Sequence, residues 1–135
     1  MSDELQLLVK EYAQHPLQNF CMQDATISRH EGNYICWDDI TVYLKLDEWR
    51  ITAYSFDGNC STITTAAASF LSEHILGHTA EELFTWNYET FVSWGFEVSP
   101  RRKRAAVIAL LAARNAFHEV LGDGKEDVFA DLIPD

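Results

Sequence analysis

From Ile40 to Leu46 the chain alternates apolar and polar residues, placing Ile40, Val42, Leu44 and Leu46 on one face. A period of two marks a half-buried strand. Asp47-Glu48 supplies a tight turn, and the β-branched and aromatic run from Trp49 to Phe56 reads as the antiparallel partner. Residues 24–31 are a weakly periodic candidate for an edge strand. Elsewhere the period is helical. Leu5, Leu8, Val9 and Tyr12 follow Ser2 as a cap, with Asp3 and Glu4 in the first turn, and this amphipathic helix ends near His15-Pro16.

Asp57-Gly58-Asn59 breaks the second strand. Ile63, Ala66, Ala67, Phe70, Leu71 and His74 then recur at helical spacing until Gly77, and the small residues Ala66 to Ser69 allow close approach to a sheet. Thr79 and Glu82 form a capping-box pair for a short helix. The aromatic stretch from Phe84 to Phe96 reads as core and connection. Ser99-Pro100 starts a last long helix that stops at Gly122, with Ala106, Leu110, Ala113, Phe117 and Val120 as its buried stripe. This order predicts an α+β fold, a small antiparallel sheet of about three strands covered by helices. Residues 1–122 form one domain in this reading, followed by an acidic, solvated tail over residues 123–135.

With 135 residues, 47% of them hydrophobic, the chain is long enough to bury a core without staples. Its net charge of −11 repels phosphate backbones and anionic lipid, arguing against nucleic-acid or membrane-surface binding. No apolar run approaches the roughly 20 residues that span a bilayer, and residues 1–14 lack the pattern of a signal peptide, so the expected location is the cytoplasm. Three cysteines, Cys21, Cys36 and Cys60, suit reduced thiols better than a disulfide framework. Cys36 and Asp38 sit two apart in a turn-rich segment, and Cys60 follows one hairpin later, so a folded hairpin brings them together. Packing of both thiols as small buried residues is the competing explanation. His74 and His118, on core-facing helices, are read as structural. The run Arg101-Arg102-Lys103-Arg104 opposes the dipole of the helix it opens, which marks either an anionic ligand or partner, or ion pairs with Asp38, Glu97 or neighbouring acids.

Three segments together resemble the NifU/IscU-type iron-sulfur cluster assembly scaffold family. Gly32-Asn33-Tyr34-Ile35-Cys36-Trp37-Asp38 is similar to that family's Gly-Asn-Pro-x-Cys-Gly-Asp. The run from Phe56 to Ser69 resembles its second motif, a Gly-Cys pair opening an alanine- and serine-rich helix, and Pro100 to Ala105 its third, Pro-x-Arg-x-Lys-Cys. The third family cysteine falls at Ala105, and the histidine that often precedes it falls at Arg104. An ungapped reading from Phe56 to Gly77 places Ser61 on the second cysteine, whereas a one-residue shift restores Cys60. Both alignments remain open.

The resemblance implies a SufE/NifU-like fold and a scaffold or carrier rather than an enzyme. Its cargo would be iron or an iron-sulfur cluster, with zinc as an alternative occupant of the isolated protein. Cys36, Asp38 and Cys60 would be the metal-binding residues, beside a helix N-terminus that favours thiolate, with Arg102 and Arg104 as electrostatic support. The partners would be a cysteine desulfurase and acceptor apoproteins. The missing ligand would come from Cys21, a histidine such as His30, an external thiol or the second subunit of a homodimer. Two alternatives keep the fold: a regulatory interaction module without a cluster, and a SufE-like sulfur-transfer protein relying on Cys36 alone.

Overall fold

The computed structural model describes residues 3–35 and 37–134. Three strands, β1 (Ile27–Asn33), β2 (Asp38–Asp47) and β3 (Arg50–Asp57), form an antiparallel meander in that order. The alternation in β2 does what it predicts: Ile40, Val42 and Leu44 are fully buried, each such side chain contributing roughly 1.5–3 kcal/mol. Val42 lies opposite Phe56 and Leu44 opposite Tyr54, so both strands present one apolar face. The turn falls one residue later than expected. Glu48 and Trp49 both have positive φ, 50° and 68°, the backbone twist a two-residue hairpin requires, so β3 opens at Arg50 rather than Trp49.

Helix α1 (Asp3–Gln14) buries Leu5 and Val9 against α2 (Thr62–Ile75), which packs on β3. The phenolic hydroxyl of Tyr54 donates to the Ala68 carbonyl at 2.9 Å, tying β3 to α2. The cap assigned to Ser2 lies outside the described residues. Thr79 and Glu82 form the expected capping box for α3 (Ala80–Leu83), and a second box, Asn87 with Thr90, starts α4 (Tyr88–Ser93) inside the aromatic stretch. That helix was masked in the sequence by its dense aromatic content.

A 3-10 turn at Pro100–Arg102 precedes α5 (Lys103–Leu121), which crosses β1 and β2. Instead of one buried stripe, every residue from Ala105 to His118 is buried, because α2, the sheet and the C-terminal segment enclose this helix; Val120 lies beyond the buried run. Gly122 ends it at φ 63°, as a left-handed C-terminal residue.

The C-terminal segment packs instead of standing free. Asp127 exchanges hydrogen bonds with Asn115, its N–H donating to Oδ1 at 2.7 Å and its carbonyl accepting from Nδ2 at 3.0 Å. Its carboxylate pairs with Arg114 at 2.9 Å and His118 at 3.0 Å, and Arg29 holds Glu126 and Glu119. Leu132, in the short helix α6 (Phe129–Leu132), is fully buried. No helix among the described residues is long and apolar enough to cross a membrane.

Candidate functional site

Asp38 opens β2 directly opposite Asn33, the last residue of β1, and is only 4% exposed. A carboxylate this deep must be satisfied, and the start of α2 does so. Its Oδ1 accepts the Ser61 N–H at 2.6 Å, and its Oδ2 accepts the hydroxyls of Ser61 at 3.1 Å and Thr64 at 2.8 Å. Asp38 therefore caps α2 from another strand, while the Ser61 side chain makes no local cap bond. The helical period beginning at Ile63 is legible in the sequence, but the distant carboxylate that joins its first turn is not.

The loop after β3 is fixed by contact with β2. The Asp39 N–H donates to the Asn59 carbonyl at 3.0 Å, and the Cys60 thiol donates to the Asp39 carbonyl at 3.4 Å. Gly58, at φ 136°, permits this approach, because a Cβ there would lie 2.4 Å from the Asp39 carbonyl oxygen. Cys60 is half-buried and packs against the core. Burial, reinforced by Asp38, Asp39 and Asp57, pushes its thiol up to about 12. The thiolate expected beside a helix N-terminus is disfavoured at Cys60, where burial and three carboxylates favour the protonated thiol.

Cys36, the principal ligand expected from the sequence, lies outside the described residues. Its neighbours form a turn whose apolar side chains face solvent: Tyr34 is 80% exposed and Trp37 78%. Trp37 also holds φ at 57°, a conformation glycine adopts without cost, and glycine is the residue of the motif this segment resembles. Asn33 is buried, and its Oδ1 has no hydrogen-bond partner among the described residues.

Ser61 and Ala105 line one groove of about 880 Å³ between α1, the start of α2 and the 3-10 turn. Val9, Ala13 and Ile63 contribute apolar lining, while Lys10, Arg101 and Arg102 bring three cations. Sequence reading missed Lys10, since nothing in the α1 pattern links it to residues ninety positions later. None of the three cations has a side-chain ion pair among the described residues, so pairing of this run with Asp38 or Glu97 does not occur there. Arg104 points to different work, with its guanidinium 5.1 Å from the Phe129 ring centre. Cys21 is exposed, and His30 pairs with Asp39 at 3.6 Å. His74 stacks on Trp94 and His118 on Phe84, as befits structural histidines. Among the described residues no cluster of three histidine, cysteine, aspartate or glutamate side chains is arranged to hold a metal ion.

Three distant segments thus meet at the start of α2: Asp38 bonds Ser61, and Ser61 shares a groove with Arg102 and Ala105. The fold that carries this convergence is a three-stranded antiparallel meander under helices, an α+β module. The NifU-like N-terminal domain model matches residues 6–125, and the chain belongs to that family, whose members include scaffolds of iron-sulfur cluster assembly.

Among curated proteins, the chain is 36% identical over 64 residues to the iron-sulfur cluster assembly scaffold protein IscU of Thermotoga maritima, covering 47% of this chain and 45% of that one. The IscU of Streptococcus pyogenes serotype M1 is 37% identical over 51 residues, covering 38% and 32% respectively. The matches thus span less than half of each relative. A NifU-like N-terminal protein from Brucella abortus superposes with a TM-score of 0.71 at 13% identity, covering 87% of this chain and 94% of that one. A protein described as a scaffold for the SUF system of Fervidobacterium islandicum AW-1 gives 0.68 at 19%, covering 86% and 95%. At such identities these structures establish the shared fold alone.

Proposed function

We propose that the protein is a scaffold or carrier in iron-sulfur cluster assembly, taking sulfur from a cysteine desulfurase, holding iron or a labile cluster, and passing it to acceptor apoproteins. The observation that carries this reading is the meeting of Asp38, Ser61 and Ala105 from three motifs beside Arg102. Cys36 is the principal thiolate of the reading, two residues before the anchored Asp38. A thiolate-ligated cluster or a persulfide is anionic, and Arg101, Arg102 and Lys10, without an ion pair among the described residues, suit such a cargo. Asp38, with three donors already on its carboxylate, serves by fixing the loop rather than as a ready ligand, and Cys60 joins only if its thiol leaves the Asp39 carbonyl. A cluster normally takes four cysteine ligands, so the cargo is held by few protein bonds and released readily. The role is binding and transfer without turnover.

Anaerobic incubation with iron and sulfide tests the reading. Cluster absorption that depends on Cys36 and survives Cys21→Ala supports it; a protein that takes up no iron contradicts it.

The commitment of Asp38 to Ser61 and Thr64 favours one second reading, a single-thiol acceptor that carries sulfur on Cys36. Mass spectrometry after incubation with a cysteine desulfurase and cysteine would then find one added sulfur on Cys36, with no iron uptake at any stage.

A further inference from the structure

The groove beside Ser61 has features that the protein's own side chains do not account for. Lys10, Arg101 and Arg102 enter it from two separated segments, in a chain with only ten basic residues and a net charge of −11. Among the described residues these three have no carboxylate partner, as is also true of Lys103, Arg104 and Lys125, but Lys103 and Arg104 lie over the Tyr88 and Phe129 rings, whereas Lys10, Arg101 and Arg102 line one groove together. Three cations sharing a groove lining with Val9, Ile63 and Ala105 suit a ligand that carries carboxylates on a less polar body. About 880 Å³ accommodates a molecule of tripeptide size.

The groove also reaches the point where the chain is short of sulfur. Ser61 lines it and bonds Asp38, and Ala105 lines it too, so neither motif position offers a thiol. Cys60 is turned onto the Asp39 carbonyl, and Cys21 lies exposed outside the groove lining. We infer that the groove binds a small, carboxylate-bearing thiol, held by Lys10, Arg101 and Arg102, whose sulfur stands beside Ser61 and Ala105 as a ligand the chain lacks. This inference rests on the cluster-assembly reading for its purpose, but the binding itself does not require a cluster.

The test uses the metal-free 135-residue chain labelled with nitrogen-15 and titrated with S-methylglutathione, a probe that keeps the carboxylates and has no free thiol to offer iron or to accept sulfur. Saturable amide shifts at Gln6, Lys10, Gln14 and Thr62 are expected, weakened about tenfold in Arg102→Ala and in Lys10→Ala but unchanged in Arg50→Ala. These surface substitutions leave the core untouched, and an unaltered spectrum without probe verifies folding. Cysteamine, a cationic thiol, should leave the groove amides unmoved. Inorganic phosphate shifting the same amides with equal affinity would reduce the groove to a general anion site and overturn the inference. So would the absence of saturable shifts, or binding unaffected by both substitutions. In a second arm, glutathione should prolong the lifetime of a reconstituted cluster in the native protein and not in Arg102→Ala. Failed reconstitution alongside groove binding removes the cluster reading and the thiol's purpose together, whereas reconstitution without groove binding removes only this inference.

Discussion

The Asp38 carboxylate accepts the Ser61 N–H at 2.6 Å and the Ser61 hydroxyl at 3.1 Å, joining the first residue of β2 to the first turn of α2 across 23 positions of sequence. The pair places a buried negative charge against the helix end where it is most favourable. It also brings Ser61 of the second motif onto Asp38 of the first, while the neighbouring Cys60 thiol donates to the Asp39 carbonyl.

Removing the carboxylate should cost stability before it costs any chemistry. Asp38→Ala leaves the Ser61 N–H and the Thr64 hydroxyl without their acceptor and is expected to destabilise the fold by roughly 2–4 kcal/mol. Asp38→Asn keeps one acceptor, and the two hydroxyls can rotate to accept from its amide, so it should lose about half as much. Urea titrations of the two variants check both values; equal midpoints for Asp38→Ala and the native chain would deny the cap.

Gly58→Ala should be among the most damaging single-atom additions. The new Cβ meets backbone at 2.4 Å, where no flexible side chain can yield, and φ at 136° is unfavourable for alanine. A loss of roughly 2–4 kcal/mol is expected, together with displaced amide resonances at Asp39 and Cys60. Gly77→Ala, with open space around its Cβ, should be milder and confined to backbone strain at φ 85°.

The Cys60 thiol provides a pH test. Its pKa, raised to about 12 by burial and three carboxylates, keeps it protonated at neutral pH, so alkylation by iodoacetamide should be slow there and accelerate as pH rises. Exposed Cys21 should react first, and in denaturant the two should react alike. Equal rates in the native protein at pH 7 would contradict the burial of Cys60.

Asp127→Ala should loosen the C-terminal segment. It removes the partner of Arg114 and one of the two carboxylates on His118, with an expected cost of roughly 1–3 kcal/mol and faster tryptic cleavage after Lys125. Unchanged cleavage would mean that the Asn115 backbone bonds suffice to hold the segment.

The sheet and helices α1, α2, α3 and α5 were legible because their signals are local, among them the alternation in β2, the Thr79–Glu82 box, Ser99-Pro100 and Gly122, whereas α4 and α6 were not read. The site was legible only as motifs. Asp38 and Cys60 were rightly placed near each other, but their side-chain directions depend on Ser61 and Gly58, contacts made across the sheet that no periodicity encodes. The C-terminal acids looked solvated because their partners, Asn115, His118 and Arg29, lie on α5 and β1. Arg104 shared a basic run with Arg102, yet helical geometry sends it to Phe129 while Arg102 lines the groove.

The central claim is that Ser61 and Ala105 project onto the place where an iron-sulfur cargo rests near Cys36. The most direct measurement is the decay of visible absorption of an anaerobically reconstituted cluster, compared between the native chain and a Ser61→Cys, Ala105→Cys variant. If both positions border the cargo, two added thiols make its decay slower by at least about tenfold, and Cys36→Ala abolishes the gain. A variant that folds normally but whose cluster decays at the native rate, or that forms the same cluster without Cys36, would contradict the account.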